Sequence, residues 1–174
     1  MHVSAAERTV AATARQWAGL GLIAAAALAA DQVAKLAVRS NLALDDAVHV
    51  VGPLSIRHIP NSGIAFGLFS RAVPIVIGLT TLAIAWMLVV FARSGARHPV
   101  LAPAFGLLAG GSLGNLADRL RLGHVTDFIT VSQWPTFNLA DAFITVGVVL
   151  LAVAFLRSER SARPTRIRTG ATRS

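Results

Sequence analysis

The chain has no cysteine. A disulfide, a thiolate nucleophile and a Cys-ligated zinc are therefore excluded. Charge is scarce as well: 14% of the 174 residues are charged, and only 8 are acidic. There is no H-E-x-x-H, so a zinc protease is not supported. No whole-chain repeat is present, which weakens an inverted-repeat transporter reading. What abounds is apolar: 55% of residues are hydrophobic and the mean hydropathy is +0.64. That balance belongs to a polytopic membrane protein rather than a soluble domain, and the length allows one domain.

Four apolar stretches are long enough to span a hydrocarbon core of about 30 Å. They run from Trp17 to Val38, Ala72 to Ala92, Val100 to Ala117 and Leu139 to Leu156. Arg8 and Arg15 before an apolar run ending Ala27-Leu28-Ala29-Ala30 resemble a cleavable signal peptide. The apolar pattern continues through Val33-Ala34 and Leu36-Ala37-Val38, however, so an uncleaved helix is expected. Arg8, Arg15, Arg93, Arg97 and the tail arginines from Arg157 to Arg173 fall on one side of this frame. The smaller set Arg39, Arg57, Arg71, Arg119 and Arg121 falls on the other. Basic residues concentrate on the cytoplasmic side, which places both termini there. The loops 39–71 and 118–138 then face outward. The division is a cytoplasmic N-terminal extension (1–16), a four-helix membrane domain (17–156) and a basic cytoplasmic tail (157–174), expected to be disordered. The net charge of +8 is concentrated in that tail. Beside a membrane helix it reads as a lipid-facing anchor, and no nucleic-acid-reading module accompanies it.

The first outer loop is patterned. Val48 to Val51, a Gly52-Pro53 turn and Leu54 to Ile59 read as two short strands, a small periplasmic β-sheet. Ile64 to Phe69 is apolar but too short to span, which suits a short interfacial helix or loop.

Polar groups inside a bilayer each demand an account. Asp31 and Lys35 are four apart and share one helix face, as a structural ion pair or a substrate-positioning pair. Gly106, Gly110 and Gly114 strip one face of the third helix of side chains and admit a close neighbour. Asn115 and Arg119 follow on an i, i+4 face, where interfacial hydrogen bonding is the plain reading. Gly110-Gly111-Ser112-Leu113-Gly114 matches G-x-S-x-G, but it lies in an apolar helix and only His124 follows it. A serine-hydrolase elbow needs a strand–turn–helix and later Asp and His partners, so this match is rejected.

Asp127 lies in the apolar stretch His124 to Ile129, and Asp141 at the start of the fourth helix with Asn138 as its cap. Each alone has an ordinary structural reading. Together, on the outer side and flanked by apolar residues, they suit a pair that shares a proton. Such a pair can take a proton from an attacking water and polarise the attacked carbonyl. It needs neither metal nor cofactor. Two other readings stay open from the residues alone: an ion-relaying transporter using Asp31, Asp127 and Asp141, and an assembly subunit whose polar groups only pack helices.

Five blocks carry a more specific signal. They are Asp31-Gln32-x-x-Lys35, Asn61 to Phe66, Gly110 to Arg119, Val125 to Phe128 and Phe137 to Asp141. In this order they resemble bacterial lipoprotein signal peptidase, signal peptidase II, across roughly residues 17 to 156. Ser62 stands where that family commonly has Thr, and Ile64 where it commonly has a small residue. The resemblance implies an all-α membrane protein of four transmembrane helices in the bacterial inner membrane. It implies an aspartic endopeptidase that cuts a prolipoprotein just before its diacylglyceryl-modified cysteine. Asp127 and Asp141 match the catalytic aspartates. Asn61, Asn115, Arg119 and Asn138 match polar residues around the site, and Asp31 and Lys35 match a pair in the first helix. Implied partners are diacylglyceryl-prolipoprotein substrates, membrane lipid and globomycin-type cyclic peptide inhibitors, with no nucleic acid and a monomeric enzyme.

Overall fold

The computed structural model describes residues 11–62, 73–94 and 98–162. The interfacial segment expected at 64–69, most of the N-terminal extension and the tail beyond residue 162 lie outside the described residues. The chain order is α1 (Ala14–Asn41), β1 (Ala47–Val51), β2 (Leu54–Asn61), α2 (Val73–Ser94), α3 (Leu101–Leu122), β3 (Val125–Val131) and α4 (Leu139–Ala162).

Local chemistry sets the helix ends. Thr13 and Gln16 form a reciprocal capping box at the start of α1. Gly123, with φ of 76°, closes α3 in the left-handed conformation and donates its N–H to the Arg119 carbonyl. α1 runs unbroken through Asp31-Gln32, as its continuous apolar pattern predicts. The helices α1, α2 and α4 carry many exposed large apolar side chains, among them Leu22, Ile75, Leu79, Trp86, Val148 and Phe155. Such an outer surface is adapted to lipid rather than water. Phe91 of α2 anchors one end of the bundle, edge-on to Trp17 at 4.9 Å and to Phe105 at 5.5 Å between ring centroids.

Three of the four helices are long and apolar enough to cross a membrane among the described residues: Ala14–Asn41, Val73–Arg93 and Leu139–Ser158. This corrects the expectation of four stretches each long and apolar enough to span. α3 falls short because Asn115, Asp118, Arg119 and its glycines dilute its apolar character. It also continues to Leu122, so Asp118 and Arg119 belong to a helix and not to a loop beginning at 118. α3 is the central helix, packed against α1, α4 and α2. Its Asn115 and Asp118 are buried against protein, where they find partners.

The central position depends on close backbone approach. A Cβ at Gly110 would lie 2.5 Å from the Ala24 carbonyl oxygen of α1, and one at Gly111 would lie 2.5 Å from the Ala140 carbonyl oxygen of α4. The Gly110→Ala substitution therefore forces α1 and α3 apart. It is expected to lower stability by about 1–3 kcal/mol, as overpacking does. A detergent melt should show a lower Tm; an unchanged Tm would mean the two helices do not meet there.

The three strands form one antiparallel sheet in the order β1-β2-β3. Ile59 pairs with Asp127 and Asn61 with Val125. Since alternate residues share a face, Asn61 and Asp127 become diagonal neighbours on one side of the sheet. Phe137 then pairs with Ile129, its N–H donating to the Ile129 carbonyl at 3.0 Å and its carbonyl accepting from Ile129 at 2.7 Å. This bridge closes the β3–α4 loop and starts α4 beside β3.

Candidate active site

The Ile129–Phe137 bridge puts Asn138 next to Asp127. The Asn138 side-chain amide donates to Asp127 Oδ1 at 2.6 Å, and Asn61 donates to Asp127 Oδ2 at 2.7 Å. Asn138 also caps α4: its Oδ1 accepts from the Asp141 N–H at 3.0 Å, while Asp141 Oδ2 accepts from the Asn138 N–H at 3.3 Å. This reciprocal cap fixes which end of the Asn138 amide faces Asp127. One asparagine thus touches both carboxylate residues and holds them in one site.

A second asparagine continues inward. Asn115 donates to Asp141 Oδ1 at 2.8 Å and accepts from Lys35 Nζ at 2.8 Å. Lysine cannot accept a hydrogen bond, so this amide orientation too is determined. Lys35 is fully buried and pairs with Asp31 at 2.9 Å and Asp118 at 3.2 Å. Gln32 donates to Asp31 Oδ2 and to Asp118 Oδ1, at 3.2 and 3.1 Å. Arg39 lies 3.7 Å from Asp118 and donates to Thr126 Oγ1 at 3.1 Å. Among the described residues no buried side-chain nitrogen or oxygen lacks a partner. That completeness is what makes so polar an interior tolerable.

The half-buried Arg119 donates to the Asn115 carbonyl at 3.5 Å and lies within electrostatic reach of Asp141, Asp127 and Asp118. Asp141 also lines an apolar groove of about 430 Å³ with Trp134, Phe137, Ala142, Thr145 and Val146. A reacting group at Asp141 therefore has an apolar slot beside it.

Asp127 is 3% exposed. Burial raises its carboxyl above the ordinary 3.8, and the charge of Asp141 adds to the rise; the Asn61 and Asn138 amides and Lys35 oppose it. A raised folded-state value means the folded protein holds this proton more tightly than the unfolded chain. The stabilisation is full below about 3.8 and is lost as pH rises through the raised value. The Tm of Asp127→Asn minus that of the wild type should therefore increase as pH climbs through this window. A pH-independent difference would show that Asp127 does not titrate with folding.

All eight residues expected at the site from sequence lie in one connected network. Asp31 and Lys35 sit beneath Asp127, Asp141, Asn61, Asn138 and Arg119, and Asn115 links the two levels. Sequence reasoning missed Gln32, Arg39, Asp118 and Thr126 as members. Asp118 was visible only as a helix-end polar group. Its spacing of three from Asn115, on the face that carries Gly111 and Gly114, was the available signal.

The chain matches the family model described as "Signal peptidase (SPase) II" over residues 23–157. It is 42% identical over 149 residues to the lipoprotein signal peptidase of Pelotomaculum thermopropionicum, covering 84% of this chain and 98% of that one. It is 37% identical over 131 residues to the lipoprotein signal peptidase of Moorella thermoacetica, covering 75% and 87%. Among solved structures it is similar to a bacterial membrane enzyme determined in meso at 2.3 Å, with TM-score 0.77 and 29% identity over 87% of this chain and 95% of that one. A second in meso structure of a bacterial membrane enzyme, at 1.9 Å, gives TM-score 0.74 and 31% identity over 80% and 94%.

Proposed function

Since the chain belongs to the signal peptidase II family, aspartic endopeptidases of the bacterial inner membrane that process prolipoproteins, we propose that Asp127 and Asp141 form its catalytic pair. The observation that carries this reading is Asn138, which bonds to Asp127 through its amide and to Asp141 through its cap. It holds two carboxylates from different elements at one place beside an apolar groove.

In this mechanism the scissile carbonyl of the prolipoprotein lies between the two acids. Asp127, which burial keeps protonated to higher pH, donates to the carbonyl oxygen. Asp141 takes a proton from the water that attacks the carbonyl carbon. The tetrahedral intermediate then collapses, the C–N bond breaks, and the amine of the lipid-bearing cysteine leaves with a proton supplied by the pair. Arg119 offsets the negative charge that builds at the site. Asn61 and Asn138 keep Asp127 aimed throughout. The bond cut is the one just before the diacylglyceryl cysteine. The groove beside Asp141 accepts apolar substrate, while the acyl chains remain in membrane lipid.

The same reading places α3 as a fourth, protein-sheathed crossing, with both termini in the cytoplasm and the sheet on the periplasmic side. The basic residues support this, being more numerous on the N- and C-terminal flanks. The membrane domain of 17–156 acts as a monomer, flanked by a cytoplasmic extension and a basic tail. A globomycin-type cyclic peptide would compete for the groove at the pair.

The test is cleavage in detergent of a purified diacylglyceryl-prolipoprotein beside the same precursor without its lipid. The expected product begins at the lipid-bearing cysteine by mass spectrometry, and the unlipidated precursor is cut far more slowly. Equal cutting of both, or a cut elsewhere, would contradict the assigned specificity.

A further inference from the structure

The buried cluster beneath the pair does more than neutralise its own charges. Asp31 Oδ1 accepts from the Ala140 N–H at 2.9 Å, and Asp118 Oδ2 accepts from the Thr126 N–H at 3.0 Å. Ala140 immediately precedes Asp141, and Thr126 immediately precedes Asp127. Each acid of the cluster therefore grips the backbone one residue before one acid of the site. Lys35 lies between the two grips, 2.9 Å from Asp31 and 3.2 Å from Asp118. Its third contact, through Asn115, reaches Asp141 itself.

We propose that Asp118 is a positioning residue, which with Lys35 and Asp31 forms a buried yoke that sets the separation of Asp127 and Asp141 by fixing the two peptide N–H groups that precede them. The proposal rests on reading Asp127 and Asp141 as the catalytic pair. Ordinary helix packing requires none of this. Neutralising Lys35 does not require Asp118 Oδ2 to accept also from the Thr126 N–H of β3, nor Asp31 to turn its other oxygen, Oδ1, to the Ala140 N–H of α4. Burial strengthens the case: Thr126 and Asp31 are fully buried and Asp118 is 1% exposed, so these N–H···carboxylate bonds have no competing water. Gly114 contributes by leaving room, since a Cβ there would lie 2.5 Å from Asp31 Oδ2.

Because the yoke does not touch substrate, loosening it should slow chemistry without weakening binding. A displacement of about 1 Å at reacting groups costs on the order of 100-fold in rate. Asp118→Ala, which removes the grip on Thr126, is expected to lower kcat about 100-fold with KM within about threefold of wild type. Asp118→Asn keeps an oxygen that can accept from Thr126 and should recover part of that loss, on the order of 10-fold. A second readout does not depend on turnover. Hydrogen exchange by mass spectrometry should quicken at 125–131 in Asp118→Ala and at 138–142 in Asp31→Ala, each at its own strand or helix start.

Wild type, Asp127→Asn and the Asp118 variants are measured together. Failure of the wild type to cut diacylglyceryl-prolipoprotein would overturn the functional reading and with it this proposal. A cutting wild type, an inactive Asp127→Asn and a folded Asp118→Ala with unchanged kcat would overturn the positioning proposal alone. So would a loss confined to KM. If Asp118→Ala does not fold, the kinetics of Asp118→Asn and its exchange at 125–131 decide: unchanged kcat and unchanged exchange overturn the proposal, whereas slower kcat with faster local exchange bears it out.

Discussion

Asp127→Asn and Asp141→Asn should each cut prolipoprotein at least about 1000-fold more slowly than wild type while remaining folded. Each substitution preserves shape and removes one titrating carboxyl. At position 127 the site loses the group that gives its proton to the carbonyl. At position 141 it loses the acceptor for the proton of water. The polar surroundings explain why the variants should still fold. Asn138 and Asn61 donate to Asp127 oxygens, and an asparagine there retains one acceptor. At 141 the helix cap survives in part, because the 141 N–H still donates to Asn138 Oδ1. Single-turnover rates on a lipid-modified precursor check the loss, and detergent melting curves check the fold. Wild-type turnover in either variant would show that its carboxyl takes no part in proton transfer.

Lys35→Met should have the largest effect on stability. Among the described residues the ammonium is the one cation that contacts both Asp31 and Asp118 within 3.2 Å, and all three side chains are almost fully enclosed. Methionine fills a similar volume but leaves two buried carboxylates facing each other. Breaking a buried pair by removing one partner costs about 3–5 kcal/mol. That is a large share of the roughly 5–15 kcal/mol that holds a domain folded. Chemical or thermal unfolding in detergent measures it. Adding Asp31→Asn and Asp118→Asn to Lys35→Met should recover part of the loss, since the charges then disappear together. A Lys35→Met variant as stable as wild type would mean that the cluster is already neutralised by other groups, with Arg39 the nearest at 3.7 Å from Asp118.

How much of this was legible in the sequence depended on range. The apolar runs marked α1, α2 and α4 because lipid-facing helices must be apolar on their own account. α3 was read too short, since its last turns carry Asn115, Asp118 and Arg119, which a hydropathy pattern assigns to water. Those residues are helical because α1, β3 and α4 supply their partners, a tertiary fact. The two strands around Gly52-Pro53 were visible in β-branched composition and a turn. Asp141 and Asn138 were readable as a helix start, and the cap is there. Their meeting with Asp127 was not, because it depends on the Ile129–Phe137 bridge and on the β2–β3 register. The i, i+4 spacing exposed the Asp31–Lys35 pair. Asp118 had one local signal, its spacing of three from Asn115, but its partner Lys35 lies 83 residues away in numbering, so their meeting was not legible.

The most direct test of the two-carboxylate account is the turnover of the Asp127→Asn/Asp141→Asn double variant beside both single variants, on the same lipid-modified precursor. Groups that act as one unit are non-additive. The account predicts that the double variant is no slower than the slower single one, because either loss already disables the shared proton transfer. Losses that multiply, with each single variant retaining part of the chemistry independently, would contradict it and place the two aspartates in separate roles.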